Sequence, residues 1–349
     1  MAFLNAKIKE TFIILFVREF SIMIEAGLPV ISSLEILYER QSDKKFAQSI
    51  KRIKETIEQG ETISDAFAEF SEYFGPFFTA MIAAGEASGR LDVVLKSIAD
   101  YKERNFKLKK KAKAAMTYPI ILFIVSIITV AFILVYVIPV FKNIFLSSGN
   151  SLPYITEVVI DCSEFVKKYF YFMFLGVFVL YILLLRLKKI ERINFIIDKT
   201  VLKLPIAGDF FCKIAIAKFA SATSILLKSG VLITDTFVIS AKTAGNKAIE
   251  KGLLEVRDEV IKGEGIADSL ERVGIFPNMV CQMVAVGENV GAIEITLSKI
   301  AEFYNEQIEL SLDTVVSMIE PIMILFLGII IGFLLLAMYL PVFNIAGGI

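Results

Sequence analysis

Two glutamates lie between glycines at corresponding places in the chain. Gly85, Glu86 and Gly89 form the segment GEASG, and Gly287, Glu288 and Gly291 form GENVG 202 residues later. A carboxylate in such a setting accepts hydrogen bonds or holds a cation, while the glycines permit a tight turn or the close approach of two helices. Two uses follow: an interhelical turn with a small-residue face, or an exposed glutamate at a helix N-terminus that docks a basic partner or the neighbouring domain. Both can hold at once. A third carboxylate, Glu320, stands beside Pro321 at the edge of a long uncharged run, where it must reach the headgroups or find a cation. Its counterpart in the first half is Tyr118, beside Pro119, so a charge-specific role belongs to the second half alone.

Other chemistry is excluded by what the sequence lacks. There is no histidine, hence neither the commonest general base nor the commonest metal ligand. No GxxxxGK[ST] loop is present, and the GEG at 263–265 lacks a strand-turn-helix context. Cys162, Cys212 and Cys281 are odd in number and far apart, which gives no metal spacing and no disulfide framework. The expectation is a chain with no catalytic residue, no cofactor and no metal.

The elements that position these residues are helices, several of them in a membrane. Hydrophobic residues make up 56% of the 349, and the mean hydropathy is +0.68, too apolar for a purely soluble protein. Three runs carry no charge: 114–141, 169–185 and 321–349. A helix needs about 20 apolar residues to cross a bilayer, so the outer runs are ample and the middle one just suffices. The first is longer than the bilayer requires and is expected to tilt or to continue as helix beyond it. Lys102, Arg104, Lys107, Lys109, Lys110, Lys111 and Lys113 precede the first run, and Arg186, Lys188, Lys189 and Arg192 follow the second. The positive-inside rule makes both flanks cytoplasmic and faces 142–168 outward. This basic stretch lies directly beside a span and does not read as a nucleic-acid site. Thr11 to Val17, which follow Lys7 and Lys9, read as the start of an amphipathic helix and not as a leader, because Arg18 and Glu19 end the run without a cleavage site.

Outside the membrane the pattern is helical throughout, with no period of two. Phe46, Ile50, Ile53 and Ile57 mark one face of a helix that ends at Gly60, and Leu91, Val94, Leu95, Ile98 and Tyr101 mark another. The whole order then recurs. Gly27 and Gly60 match Gly230 and Gly263 at an offset of 203, whereas the GExxG residues match at 202, which implies a one-residue deletion near Phe74 and Phe276. Pro119 and Pro139 likewise match Pro321 and Pro341, and these prolines are expected either to kink their spans or to face a passing partner. Each repeat is a helical domain followed by one outward span, so an unpaired helix must bring the chain back between them. Residues 169–187 are that return. The repeats are therefore parallel, unlike the inverted repeats of many transporters. A transporter or permease subunit is the alternative reading, weakened because no carboxylate lies in the cores of the spans.

Taken together, two helical domains carrying GExxG, each followed by a proline-flanked span that opens with YP in the first copy and closes with IPVF or LPVF, resemble the GspF/PilC superfamily. These are the inner-membrane platform proteins of type II secretion and type IV pilus assembly. The resemblance implies an all-α membrane protein with two cytoplasmic helical-bundle domains and three transmembrane helices, not itself an enzyme. It implies a homo-oligomer that couples a hexameric cytoplasmic ATPase to insertion of pilin or pseudopilin subunits, alongside other inner-membrane assembly proteins. Members of that superfamily often carry an N-terminal extension, whereas here the first domain starts almost at Met1. The boundaries expected are 1–116 and 188–318 for the domains, 117–141, 169–187 and 319–343 for the spans, 142–168 for an extracytoplasmic loop and 344–349 for a tail. The N-terminus is expected in the cytoplasm of a prokaryote.

Overall fold

The computed structural model describes residues 8–147, 154–187, 190–204 and 207–346. Lys7, Lys188, Lys189, residues 148–153 of the expected loop and 347–349 of the expected tail lie outside the described residues. Those described are all helix, turn and coil, with no strand among them. In chain order the first repeat contains α1 (Glu10–Glu25), α2 (Val30–Arg40), α3 (Lys44–Glu58), α4 (Ile63–Ala68), α5 (Ser71–Phe74), α6 (Pro76–Ser88) and α7 (Leu91–Ala115). Next come α8 (Thr117–Phe132), a π-helical turn (Ile133–Val137), α9 (Ile138–Ser147), α10 (Tyr154–Leu187) and α11 (Glu191–Val201). The second repeat follows as α12 (Ala207–Lys228), α13 (Ile233–Thr243), α14 (Lys247–Ile261), α15 (Ile266–Val273), α16 (Asn278–Val290) and α17 (Ile293–Ala346).

The repeat is present in the helix boundaries themselves. Both ends of α2 and α3 shifted by 203 are the ends of α13 and α14, and both ends of α6 shifted by 202 are those of α16. Local chemistry repeats with them. Asp43 caps α3 by accepting from Lys45 N and Phe46 N, and Asn246 caps α14 by accepting from Ala248 N and Ile249 N. The chain divides into two compact units, one of Met1–Lys109 with Phe195–Glu309, the other of Lys110–Asn194 with Leu310–Ile349. In the first unit, rings of the first repeat gather around Phe67, which meets Phe74 and Phe78 at 5.0 Å. Phe16, Phe20, Phe46 and Phe78 are 2% exposed or less, and each ring so buried stabilises the fold by about 1.5–3 kcal/mol. The second repeat keeps Phe219 and Phe276 where the first has Phe16 and Phe74, and these two lie 5.9 Å apart.

Among the described residues, three helical stretches are long and apolar enough to cross a membrane: Leu91–Asn143, Ala207–Lys228 and Ile293–Leu340. The apolar window of the middle one is 50% buried within the fold. It is the counterpart of α1, so its hydropathy is that of a soluble core. In the other two the window is 0% and 11% buried, the all-round apolar exposure of helices that face lipid. The expected return helix, 169–187, lies within α10 and bears the same mark, with Phe172, Leu175, Phe178 and Leu180 all more than half exposed. The stretch 142–168 is not chiefly a loop: α9 runs on to Ser147 and α10 begins at Tyr154. An uncharged run records the thickness of a bilayer and not where a helix must stop, and the continuation of helix past residue 141 is the one expected of the first run.

Prolines shape the membrane unit in three ways. Pro119 ends α7, whose last residue, Ala115, is the one whose carbonyl a proline four residues on would strike and leave unbonded. Pro321 lies inside α17 without a break, so the two expected kinks differ. At Pro139 the helix widens into the π turn, where residue 139 would donate to Leu134 O; proline cannot, and the Ser163 hydroxyl donates there instead. Pro341 similarly leaves Ala337 O without its i+4 donor, and Thr156 Oγ1 donates to that oxygen at 2.6 Å. Both hydroxyls come from α10 and are buried. Around them Ile138, Val159, Ile160, Leu334 and Ala337 form a small apolar core.

Leaving a buried carbonyl unpaired costs about 1–3 kcal/mol. Thr156→Val is therefore expected to lower the stability of the detergent-solubilised protein by about that amount, read as the midpoint of thermal unfolding. In a Pro341→Ala background, where the helix regains an N–H, the same substitution should cost much less. An equal loss in both backgrounds would show that the hydroxyl does not serve the proline.

Candidate functional site

The two GExxG segments have the same geometry, and each residue in them has a separate task. Gly85 and Gly287 occupy the last turns of α6 and α16, where the next helix passes closely. A Cβ on Gly85 would meet Val94 Cβ at 3.1 Å, and one on Gly287 would meet Thr296 Oγ1 at 2.6 Å and Thr296 Cβ at 2.9 Å. Gly89 and Gly291 end those helices with φ of 68° and 69°, the left-handed region in which a side chain is strained. Around them Arg90 N donates to Gly85 O and Gly89 N to Glu86 O, the paired bonds of a Schellman turn. Ala292 N and Gly291 N do the same toward Gly287 O and Glu288 O.

The glutamates face inward. Glu86 accepts from Ile63 N through Oε1 at 2.8 Å and from Ser64 N through Oε2 at 3.1 Å. Glu288 accepts from Ile266 N at 2.9 Å and Ala267 N at 3.1 Å with the same two oxygens. Each carboxylate thus bridges the first two N–H groups of a short helix, α4 or α15, that would otherwise lack partners, and its charge lies at the positive end of that helix. The expectation of exposed glutamates at helix N-termini is corrected here. Each sits in the last turn of its own helix, is half-buried, and caps the N-terminus of another. The turn reading and the close-approach reading both describe what the glycines do.

In the membrane unit the structure brings together two of the residues singled out by type. Tyr118 OH donates to Glu320 Oε1 at 3.3 Å, so the two counterparts touch each other. Pro119 is buried and Pro321 exposed. Asp313, Thr314, Ser317, Met318, Pro321 and Ile322 line an open groove of about 610 Å³ on α17; Glu320 precedes Pro321 in the chain but is not among the lining residues. Pro139 and Pro341 lie elsewhere in this unit, beside the two α10 hydroxyls. Among the described residues no cluster of histidine, cysteine or carboxylates could hold a metal. Thr156 and Ser163 are what sequence reasoning missed. Their signal was available, because a proline in a span leaves a carbonyl that some donor must meet, and these hydroxyls sit two helical turns apart on one helix.

Gly287→Ala is expected to destabilise more than Gly85→Ala, by about 1–3 kcal/mol against a smaller loss, because the first forces its methyl onto Thr296 Cβ. Glu86→Ala should cost about 0.5–2 kcal/mol, and Glu86→Gln less, since an amide oxygen still accepts one bond. Thermal unfolding of the four variants checks both orders; equal midpoints within each pair would contradict them.

Comparison with known proteins fits this frame. The family model described as type II secretion system (T2SS), protein F, matches residues 16–139 and again 219–341. The two matched stretches begin 203 residues apart and end 202 apart, the same shift seen in the helices. The chain is 37% identical over 337 residues to type IV pilus assembly protein PilC of Myxococcus xanthus, covering 97% of this chain and 81% of that protein. It is 32% identical over 340 residues to PilC of Pseudomonas aeruginosa, covering 97% and 91%. With type II secretion system protein F of the same species it shares 28% over 332 residues, covering 94% and 81%.

Proposed function

The chain belongs to the type II secretion system protein F family, whose members include type IV pilus assembly proteins, and from that premise we propose that it is the inner-membrane assembly platform of a filament machine. It couples a cytoplasmic secretion or pilus ATPase to the insertion or extraction of pilin-like subunits. Residues 1–116 and 188–318 lie in the cytoplasm in this reading, with the N-terminus there, and the spans are 117–141, 169–187 and 319–343. The surroundings of 142–168 and of 344–349 are extracytoplasmic. The basic residues beside the first two spans support that orientation.

The observation that carries the reading is the hydrogen-bonded pair Tyr118 and Glu320, the latter on a helix whose next residue, Pro321, lines an open groove. A pilin subunit presents an apolar helix that starts with an amine, and a platform must hold such a helix while it moves between lipid and filament. The groove offers Met318, Pro321 and Ile322 for the apolar part, while Asp313 and Glu320 offer negative charge for the amine. A carboxylate at the membrane boundary is unfavourable unless it meets a cation or a donor. Tyr118 supplies the donor when no subunit is bound. In this reading the chain is not itself an enzyme and works by holding and handing on its cargo.

A clean chromosomal replacement tests the carboxylate. Glu320→Gln should reduce surface filaments or secretion at least several-fold while leaving the amount of membrane-inserted protein unchanged, and Tyr118→Phe should have a milder effect. Normal filament numbers in Glu320→Gln would remove the charge from the mechanism. Loss of filaments on deletion of the whole gene, without loss of solute uptake, separates a platform from a permease subunit.

A further inference from the structure

The two repeats meet inside the soluble unit through faces that do not correspond. From the first repeat comes the α6 face with Ala80, Ala83 and Ala84; from the second comes the turn into α13 with Val231, Asp235 and Ile239, and the two faces share one groove. Ile225, Val231 and Ile239 pack on the core of the first repeat, and Ala222 and Leu226 belong to it. Tyr101 comes close to Thr243 at the edge. A contact of this kind is heterologous: it leaves the other half of each repeat's pair of faces open, and it can be extended by a further copy.

Both leftover halves are open and apolar. Ile22 and Leu28, counterparts of Ile225 and Val231, are 55% and 36% exposed. Val286 stands where the first repeat has Ala84 and is 63% exposed, and Phe303, the counterpart of Tyr101, is 39% exposed. We propose that the α16 face of one chain docks on the α1–α2 face of a second copy, repeating between molecules the contact that each molecule makes within itself. The substitutions at the two free faces agree with each other. Where the internal contact pairs Tyr101 with Thr243, the free faces offer Phe303 and Arg40, a ring and a guanidinium that attract one another. Where it sets Ala80 near Asp235, they offer Gln282 and Ser32, which can share a hydrogen bond. The occupant is thus another copy of this chain, with its second repeat seated on the first repeat of its neighbour. The assignment rests on the duplication alone and stands apart from the reading of Glu320.

Cysteine crosslinking of the full-length protein in its own membranes tests it, after Cys162, Cys212 and Cys281 are replaced by serine, serine and valine. Leu28→Cys and Val286→Cys chains carrying different tags are co-expressed and oxidised briefly. A mixed disulfide is expected, with no dimer from either variant expressed alone; a chain bearing both substitutions should give species larger than a dimer. Ala84→Cys with Val231→Cys in one chain should close within the molecule, with no gain in mass, and so reports that the template contact is intact. A homodimer of Leu28→Cys would mean a two-fold interface and overturn the proposal. It is equally overturned if the internal bridge closes but no mixed product forms, or if the internal bridge itself does not close.

Discussion

A backbone N–H or C=O taken out of water has to be paired, and this constraint governs both compact units. In a chain with so much apolar surface there is little water to fall back on. In the soluble unit the free ends are helix N-termini, and Glu86 and Glu288 meet two donors each. In the membrane unit they are carbonyls stranded by proline, and Thr156 and Ser163 meet one apiece. The remaining features follow from these pairings. Gly85 and Gly287 let the following helix, α7 or α17, pass close to the one that carries the capping glutamate, and Gly89 and Gly291 turn the chain between the two.

Helices, spans and duplication were legible because they rest on periodicity, and periodicity survives in a bare sequence. Gly27, Gly60, Gly89 and their counterparts all take positive φ, so reading each glycine as a place where the chain turns had a direct physical basis. The direction of the Glu86 side chain was not legible, since its partners are the backbone of residues 22 and 23 positions earlier. Backbone has no sequence signature. The α10 hydroxyls were hidden for another reason: charge placed the return helix at 169, whereas Thr156 and Ser163 lie on the portion of α10 before that point.

The two repeats share a frame and differ in what they display. Val94 and Thr296 fill the same place against the two glycines. Tyr118 and Glu320 occupy the same place at the start of a span and touch each other. Lys102, whose ammonium donates to Phe74 O and whose burial pushes its pKa down, has Tyr304 as its counterpart. A duplicated scaffold with unlike surfaces lets one chain present two different faces to its surroundings while using a single folding plan.

The two hydroxyls of α10 carry one more implication, which concerns divisibility. Each repeat ends in a span whose proline strands a carbonyl, and neither repeat contains the donor for it; both donors lie on the linking helix that belongs to neither copy. A single repeat is therefore not a self-sufficient module. Half of this gene would encode a span with an unmet polar debt in its interior, so the linker is the shared part that makes two incomplete copies into one protein.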